Sequence, residues 1–237
     1  MKLAAITLNN FRCFGPEPQT IPLENGLAAL LGSNGAGKSS VIKYIQQLKP
    51  EWSYFQEPIE KWQNWNGANL LTQFYENPRK NAYKFETAVL ESFAERIPRR
   101  MDGCVINVWE RSPESAIRVF ASHLANVDIL TKSELQKLVS KDEEGLNWFR
   151  ETPHLKVYLR TNPLTAYKRA VERRRPGEVE KLTLAYLTRI HHYHECTFGN
   201  ETSGSVLVVD ETNTEMVVDK KARMVVSTIE AIMKQLL

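Results

Sequence analysis

The chain has 237 residues, of which 42% are hydrophobic, enough to bury a full core as one α/β domain with or without a small appendage. Its formal net charge of +3 is too weak to imply nucleic-acid binding, and no apolar run approaches the length that spans a bilayer. Cys13, Cys104 and Cys196 are odd in number and far apart, which argues against a disulfide framework or a zinc site and suits a reducing compartment. Met1 to Asn10 is too short and too interrupted for a signal peptide, so the expectation is a soluble intracellular protein, cytoplasmic in the first place, with a mitochondrial location the alternative although no clear transit peptide is seen.

Residues 2–8 have the pattern of a strand, broken by Phe11 to Phe14 and Gly15 to Pro18, and Thr20 to Leu23 predicts a second short one. Gly26 to Leu31 is a short apolar strand. It runs into Gly32-Ser33-Asn34-Gly35-Ala36-Gly37-Lys38-Ser39, which fits G-x-x-x-x-G-K-[ST]. The segment after it has helical spacing, with Val41, Ile42 and Ile45 on one face. Strand, glycine loop and helix is the context in which the motif binds phosphate. The glycines let backbone N–H groups turn inward around an anion, and the helix N-terminus adds its positive dipole end. Gly32 to Ser40 is thus expected to bind a nucleoside triphosphate, with Lys38 reaching its β- and γ-phosphates and Ser39 on Mg²⁺.

Further along, Trp52 to Phe55 is a strand candidate ending near Gln56-Glu57-Pro58. Asn69 to Tyr75 and Ala82 to Ile97 predict amphipathic helices, and Cys104 to Trp109 a buried strand running into Glu110-Arg111-Ser112. Helices over Ala116 to Ala125 and Ser133 to Ser140 precede a strand at Leu155 to Leu159. A helix at 163–174 leads into a basic cluster, then come a helix near 181–195, a strand at Ser205 to Asp210 and a closing helix from Lys221 to Leu237. Alternating strands and helices predict a parallel sheet covered on both faces, of about five strands. No internal repeat or low-complexity linker divides the chain, so residues 1–237 are expected to form a single domain.

Two resemblances follow. The opening through Ser39, with Asn10-Phe11-Arg12-Cys13-Phe14 before the glycine loop, resembles the N-termini of ABC/SMC-type ATPases of DNA repair. From Glu57 onward the chain resembles the deoxynucleoside kinases: the thymidine, deoxyguanosine and deoxycytidine kinases and the insect multisubstrate enzyme. The matching motifs are Glu57-Pro58 with Trp62, then Asn69, Leu71 and Tyr75, then Glu110-Arg111-Ser112 and Tyr158 to Pro163. Arg169, Arg173 and Arg175 follow, then Tyr186, Leu187, Ile190, His191, His194 and Glu195, all in the family's order and near its spacing.

That second resemblance implies a P-loop α/β fold with an arginine-rich lid at 167–180. It also implies ATP-dependent 5′-phosphorylation of a deoxynucleoside by a homodimer, with ATP and Mg²⁺ and with neither nucleic acid nor membrane as partner. Glu57, at the C-terminal end of a strand where parallel sheets bind ligands, becomes the base for the 5′-OH. Glu110 holds Mg²⁺, Arg111 binds the 5′-oxygen and the arriving phosphoryl, and the lid arginines close over the ATP phosphates, a task that suits guanidinium. Tyr75 and Glu178 match the pair that grips the 3′-OH, and Phe85 and Phe120 the rings that sandwich the base. Trp62 joins the substrate set through its motif. His191, His192 and His194 lie near Glu195, but the family carries that helix pattern without a metal.

Three departures bear on function. The loop reads Gly32-Ser33-Asn34-Gly35 where the family has G-N-x-G, and the N-terminal strand pair is not typical of these kinases. Glu86 stands where the family has a base-reading Gln. Purine enzymes of the family place an Arg and an Asp where this chain has Phe93 and Ala116, so with Val89 the cavity is expected to favour thymidine or deoxycytidine. The rival expectation is an ABC/SMC-like ATPase, supported by the N-terminus and by Val206 to Glu211, which resembles a Walker B strand with its catalytic Glu. No L-S-G-G-Q-like signature accompanies it.

Overall fold

The strand that leads into the glycine loop lies at the centre of the main sheet. The computed structural model describes residues 5–8, 19–22, 27–97, 106–145, 149, 154–173, 182–200, 206–211 and 216–234. The main sheet contains β3 (Leu27–Leu31), β4 (Ser53–Phe55), β5 (Asn107–Glu110), β6 (His154–Arg160) and β7 (Val206–Asp210). Its order is β4-β5-β3-β6-β7 and every pairing is parallel, as the alternation of elements predicts. β1 (Ala5–Leu8) and β2 (Gln19–Pro22) form a separate antiparallel pair and do not extend the main sheet.

Every residue of β3 is buried, as a central parallel strand covered on both faces requires. Its side chains alternate. Ala28 and Leu30 join a core with Val41, Ile42 and Ile45 of α1 (Lys38–Leu48) and with Val225 and Ile229 of the last helix, Val218–Lys234. Leu27, Ala29 and Leu31 face the other core, with Trp109, Phe85, Phe93 and Phe120.

Helix starts follow local chemistry. After α2 (Ile59–Gln63), the Asn69 side chain caps α3 (Leu70–Glu76) by accepting from Thr72 N at 2.9 Å. Asn77 caps α4 (Pro78–Ala94), with Pro78 in the first turn, so this helix begins and ends earlier than Ala82 to Ile97. Ser112 and Ser115 form a reciprocal capping box at α5 (Pro113–Ser115). The next stretch, expected as regular helix, is a π-helical turn over Ala116–Ala121 before α6 (Ser122–Asn126). Ser122 Oγ donates to Ile117 O at 2.9 Å, five residues back, which supports the wider turn. Among the described residues the chain continues with α7 (Lys132–Gly145), α8 (Pro163–Arg173), α9 (Leu184–His194), a second π-helical turn over Glu195–Gly199, and α10 (Val218–Lys234).

Candidate active site

Three strand ends meet at one edge of the sheet. The glycine loop follows β3, Glu57 lies two residues past β4, and Glu110 and Arg111 close β5, where Arg111 N donates to Leu30 O at 2.9 Å. In the loop, Gly35 and Gly37 have φ of 84° and 86°, and a Cβ on Gly35 would stand 1.9 Å from Ala166 O. The loop is therefore pressed against α8 at a position only glycine fills. Lys38 is buried, and its Nζ donates to Gly32 O at 3.1 Å and Ser33 O at 3.2 Å. Burial, followed by the Arg111 charge, pulls its pKa down to about 8 against the pull of Glu57 and Glu110. Ser39 Oγ donates to Glu110 Oε1 at 2.7 Å, so a hydroxyl and a carboxylate stand side by side at the head of α1. That oxygen pair is the donor set a hard divalent cation takes.

Arg111 ties the edge together. Its Nε lies 3.0 Å from Glu57 Oε1, its Nη2 donates to Asn34 Oδ1, and its guanidinium lies 4.0 Å from the centre of the Phe120 ring. Its φ is 66°, a left-handed conformation that costs a non-glycine residue about 1 kcal/mol or more. Glu57, Asn34 and Arg111 are thus assembled around one point.

From that point a cavity of about 410 Å³ opens between α3, α4, the π-helical turn and α9. Trp62, Tyr75, Phe85 and Glu86 line it, and so do Val89, Phe93, Ala116 and Phe120. Phe85 stacks on Phe74 with centroids 4.9 Å apart, and Trp62 meets it edge-on at 5.6 Å. Phe120 carries the Arg111 guanidinium on its ring. Glu86 is 6% exposed, and burial pushes its pKa up to about 8, with Arg111 pulling the other way. Phe74, Arg96, His123 and Tyr186 also line the cavity and were not expected there. Phe74 adjoins Tyr75 of a recognised motif and Tyr186 opens the histidine-helix motif, whereas Arg96 and His123 belong to no motif singled out in the sequence.

The arginines expected to form a lid differ in what surrounds them. Arg173 adds its charge to those acting on Lys38. Arg169 donates through Nη1 to Glu211 Oε1 at 2.8 Å. Thr161 Oγ1 donates to the same oxygen at 2.7 Å, and Lys221 pairs with Oε2. Arg175 and Glu178 lie outside the described residues. Burial opposes ionisation of Glu211, but the bonds from Arg169, Lys221 and Thr161 outweigh it and hold the carboxyl below its usual range. A carboxylate so enclosed has no face for an attacking water, which removes the Walker B reading of Glu211.

The histidine helix performs structural work. His194 is buried, stacks on Tyr158 at 5.6 Å, and its Nδ1 lies 2.9 Å from Ile190 O. Burial lowers its pKa to about 3, so it stays neutral. Glu195 takes Tyr158 Oη at 2.7 Å and two nitrogens of Arg160 at 2.9 Å.

Comparison with known proteins agrees with this geometry. The deoxynucleoside kinase model matches residues 29–234, and an AAA domain model matches residues 5–48. Thymidine kinase of Ictalurid herpesvirus 1 is 28% identical over 183 residues, 76% of this chain and 78% of that one. Deoxycytidine kinase 2 of Gallus gallus is 29% identical over 189 residues, covering 69% and 70% of the two chains. Thymidine kinase 2, mitochondrial, of Homo sapiens is 27% identical over 188 residues, covering 78% and 68%. With the match spanning most of its length and the strand-end constellation in place, the chain belongs to the deoxynucleoside kinase family.

Proposed function

We propose that this kinase transfers the γ-phosphoryl of ATP to the 5′-OH of a pyrimidine deoxynucleoside, with Glu57 as the general base. The observation that carries the proposal is the Glu57–Arg111 pair, which stands between the glycine loop and the nucleoside-sized cavity. The 5′-oxygen bonds to the γ-phosphorus as the bond to the β,γ-bridging oxygen breaks; ADP leaves, and the 5′-proton passes to a Glu57 oxygen. Arg111, paired with that carboxylate, orients it and offers positive charge to the moving phosphoryl. Lys38 leaves its loop carbonyls for the β- and γ-phosphate oxygens. Ser39 and Glu110 would hold Mg²⁺, which neutralises phosphate charge when bound.

Tyr75 and Glu178 are proposed to hold the 3′-OH, and Phe85 and Phe120 to flank the base in the cavity that Trp62, Val89, Phe93 and Ala116 complete. Arg169, Arg173 and Arg175 would serve the ATP phosphates, Arg169 by exchanging Glu211 for them. The reading takes residues 1–237 as one kinase domain that pairs as a homodimer. Among the described residues no helix is long and apolar enough to cross a membrane.

A product assay over the four deoxynucleosides with ATP and Mg²⁺ tests the proposal. Thymidine or deoxycytidine should be converted fastest to its 5′-monophosphate, and duplex DNA should not change ATP consumption. Stimulation by DNA with no monophosphate formed would establish an ABC-like ATPase instead.

Lys38 supplies a second measurement. Its pKa of about 8 means its positive charge is lost as pH rises through that value. ATP affinity, titrated without acceptor, should therefore weaken up to roughly tenfold between pH 7 and pH 9. A flat profile would show that the Lys38 charge does not contribute to binding.

A further inference from the structure

The proposed base stands in a precarious place. β4 has three residues and lies at the sheet edge, paired with β5 alone. Its ladder ends at Phe55, so among the described residues no neighbouring strand holds Gln56 and Glu57, which extend past it. A base, however, must be fixed within a fraction of an ångström of its proton. Something other than the sheet has to fix this peptide.

Arg96, just past the end of α4, meets that need. Its Nη1 donates to Gln56 O at 2.6 Å, while its Nε donates to Ser92 O at 2.6 Å in the last turn of α4. The guanidinium plane is wedged beside two rings, 5.3 Å from the centre of Trp109 and 5.4 Å from that of Phe93. Trp109 in turn stacks on Phe55, centroids 4.2 Å apart and planes 9° from parallel. Three consecutive residues are thus gripped from separate sides: Phe55 by Trp109, Gln56 by Arg96, and Glu57 by Arg111.

We propose that Arg96 is a positioning residue for Glu57, bridging the end of α4 to the Gln56 carbonyl so that the base is held at the reaction point. The inference rests on the reading of Glu57 as the base. The charged groups around Glu57 agree with it. Arg111 touches Glu57, while Lys38 and Arg96 both feel its charge. Arg96 therefore adds a positive charge near Glu57 besides fixing its backbone. Burial lowers the Arg96 pKa to about 10, which leaves it charged near neutral pH. Arg96 also lines the substrate cavity, so direct contact with the nucleoside is the rival role.

A double-mutant cycle between Arg96→Met and Glu57→Gln separates the possibilities. Arg96→Met alone should lower kcat about 10- to 100-fold and leave KM for ATP and for the nucleoside within twofold. In the Glu57→Gln background the same change should cost less than twofold, because the group it positions is already gone. A raised nucleoside KM with unchanged kcat would make Arg96 a substrate contact and overturn the inference. So would full additivity in the cycle. Near-normal kcat in Glu57→Gln alone would instead defeat the reading of Glu57, a different result from either. If Arg96→Met fails to fold by circular dichroism, Arg96→Lys serves in the same cycle. It keeps the charge and an alkyl stem beside Trp109 but lacks the fork that spans Ser92 O and Gln56 O, and the same outcomes decide.

Discussion

Glu57→Gln should lower kcat by roughly two to four orders of magnitude and leave ATP binding nearly unchanged. The amide keeps the size of the carboxylate, and its oxygen can stay beside Arg111 Nε, which lies 3.0 Å from Glu57 Oε1. What it lacks is the capacity to take the 5′-proton. Because Arg111 also holds Asn34 and stacks on Phe120, the rest of the site has its own supports and should persist in the variant. Single-turnover measurement with thymidine or deoxycytidine isolates the chemical step from product release. A variant with near-normal kcat would take Glu57 out of the mechanism and return attention to the remaining carboxylates at the sheet edge.

Much of this site was legible because its parts are local. The glycine loop, its strand and the Val41, Ile42, Ile45 face lie within one short stretch, and the structure buries all three side chains. Glu57 and Glu110-Arg111 could be placed at one edge because parallel strands align their C-terminal ends. What escaped depends on contacts between distant segments. Arg96 bonds a carbonyl 40 residues earlier in the chain, and no spacing within α4 announces it. Glu211 follows an apolar strand as a hydrolytic carboxylate would, yet Arg169, Thr161 and Lys221 converge on it from other elements. Pattern gave its position, but pairing decided its chemistry. The π-helical turn was hidden for a similar reason. Its hydrophobic spacing passes for an α-helix, and the wider winding shows in the bonds that Ser122 gives to Ile117 O, five residues back, from its backbone N–H and its hydroxyl.

We propose that base choice turns on Glu86. The carboxyl sits 6% exposed in the cavity wall, and burial lifts its pKa to about 8. A protonated Glu offers one donor and one acceptor, as a Gln does, and can meet the edge of thymine or cytosine. An ionised Glu only accepts, so it faces the thymine O4 unfavourably. Phe93, packed against Trp109 and Phe149 and lining the cavity, leaves less room for a purine. With ATP saturating, because Lys38 titrates over the same range, pyrimidine kcat/KM should fall about tenfold per pH unit above 8. Stability should follow the same group. Since the folded pKa exceeds the ordinary 4.5, Glu86 keeps its proton longer in the native state and by itself withdraws roughly 1.4 kcal/mol per unit between pH 4.5 and 8, opposed below pH 6.5 by His194, whose lowered pKa adds stability as pH rises. Its contribution is complete below the unfolded pKa and is gone once pH has passed 8. Glu86→Gln removes the titration. The variant should melt higher than the parent at pH 8, with a smaller difference at pH 5, and its pyrimidine activity should rise and lose most of its alkaline decline. If the variant instead loses activity while the parent prefers deoxyguanosine, the ionised carboxylate is accepting two donors from a guanine edge, and the steric argument from Phe93 is wrong.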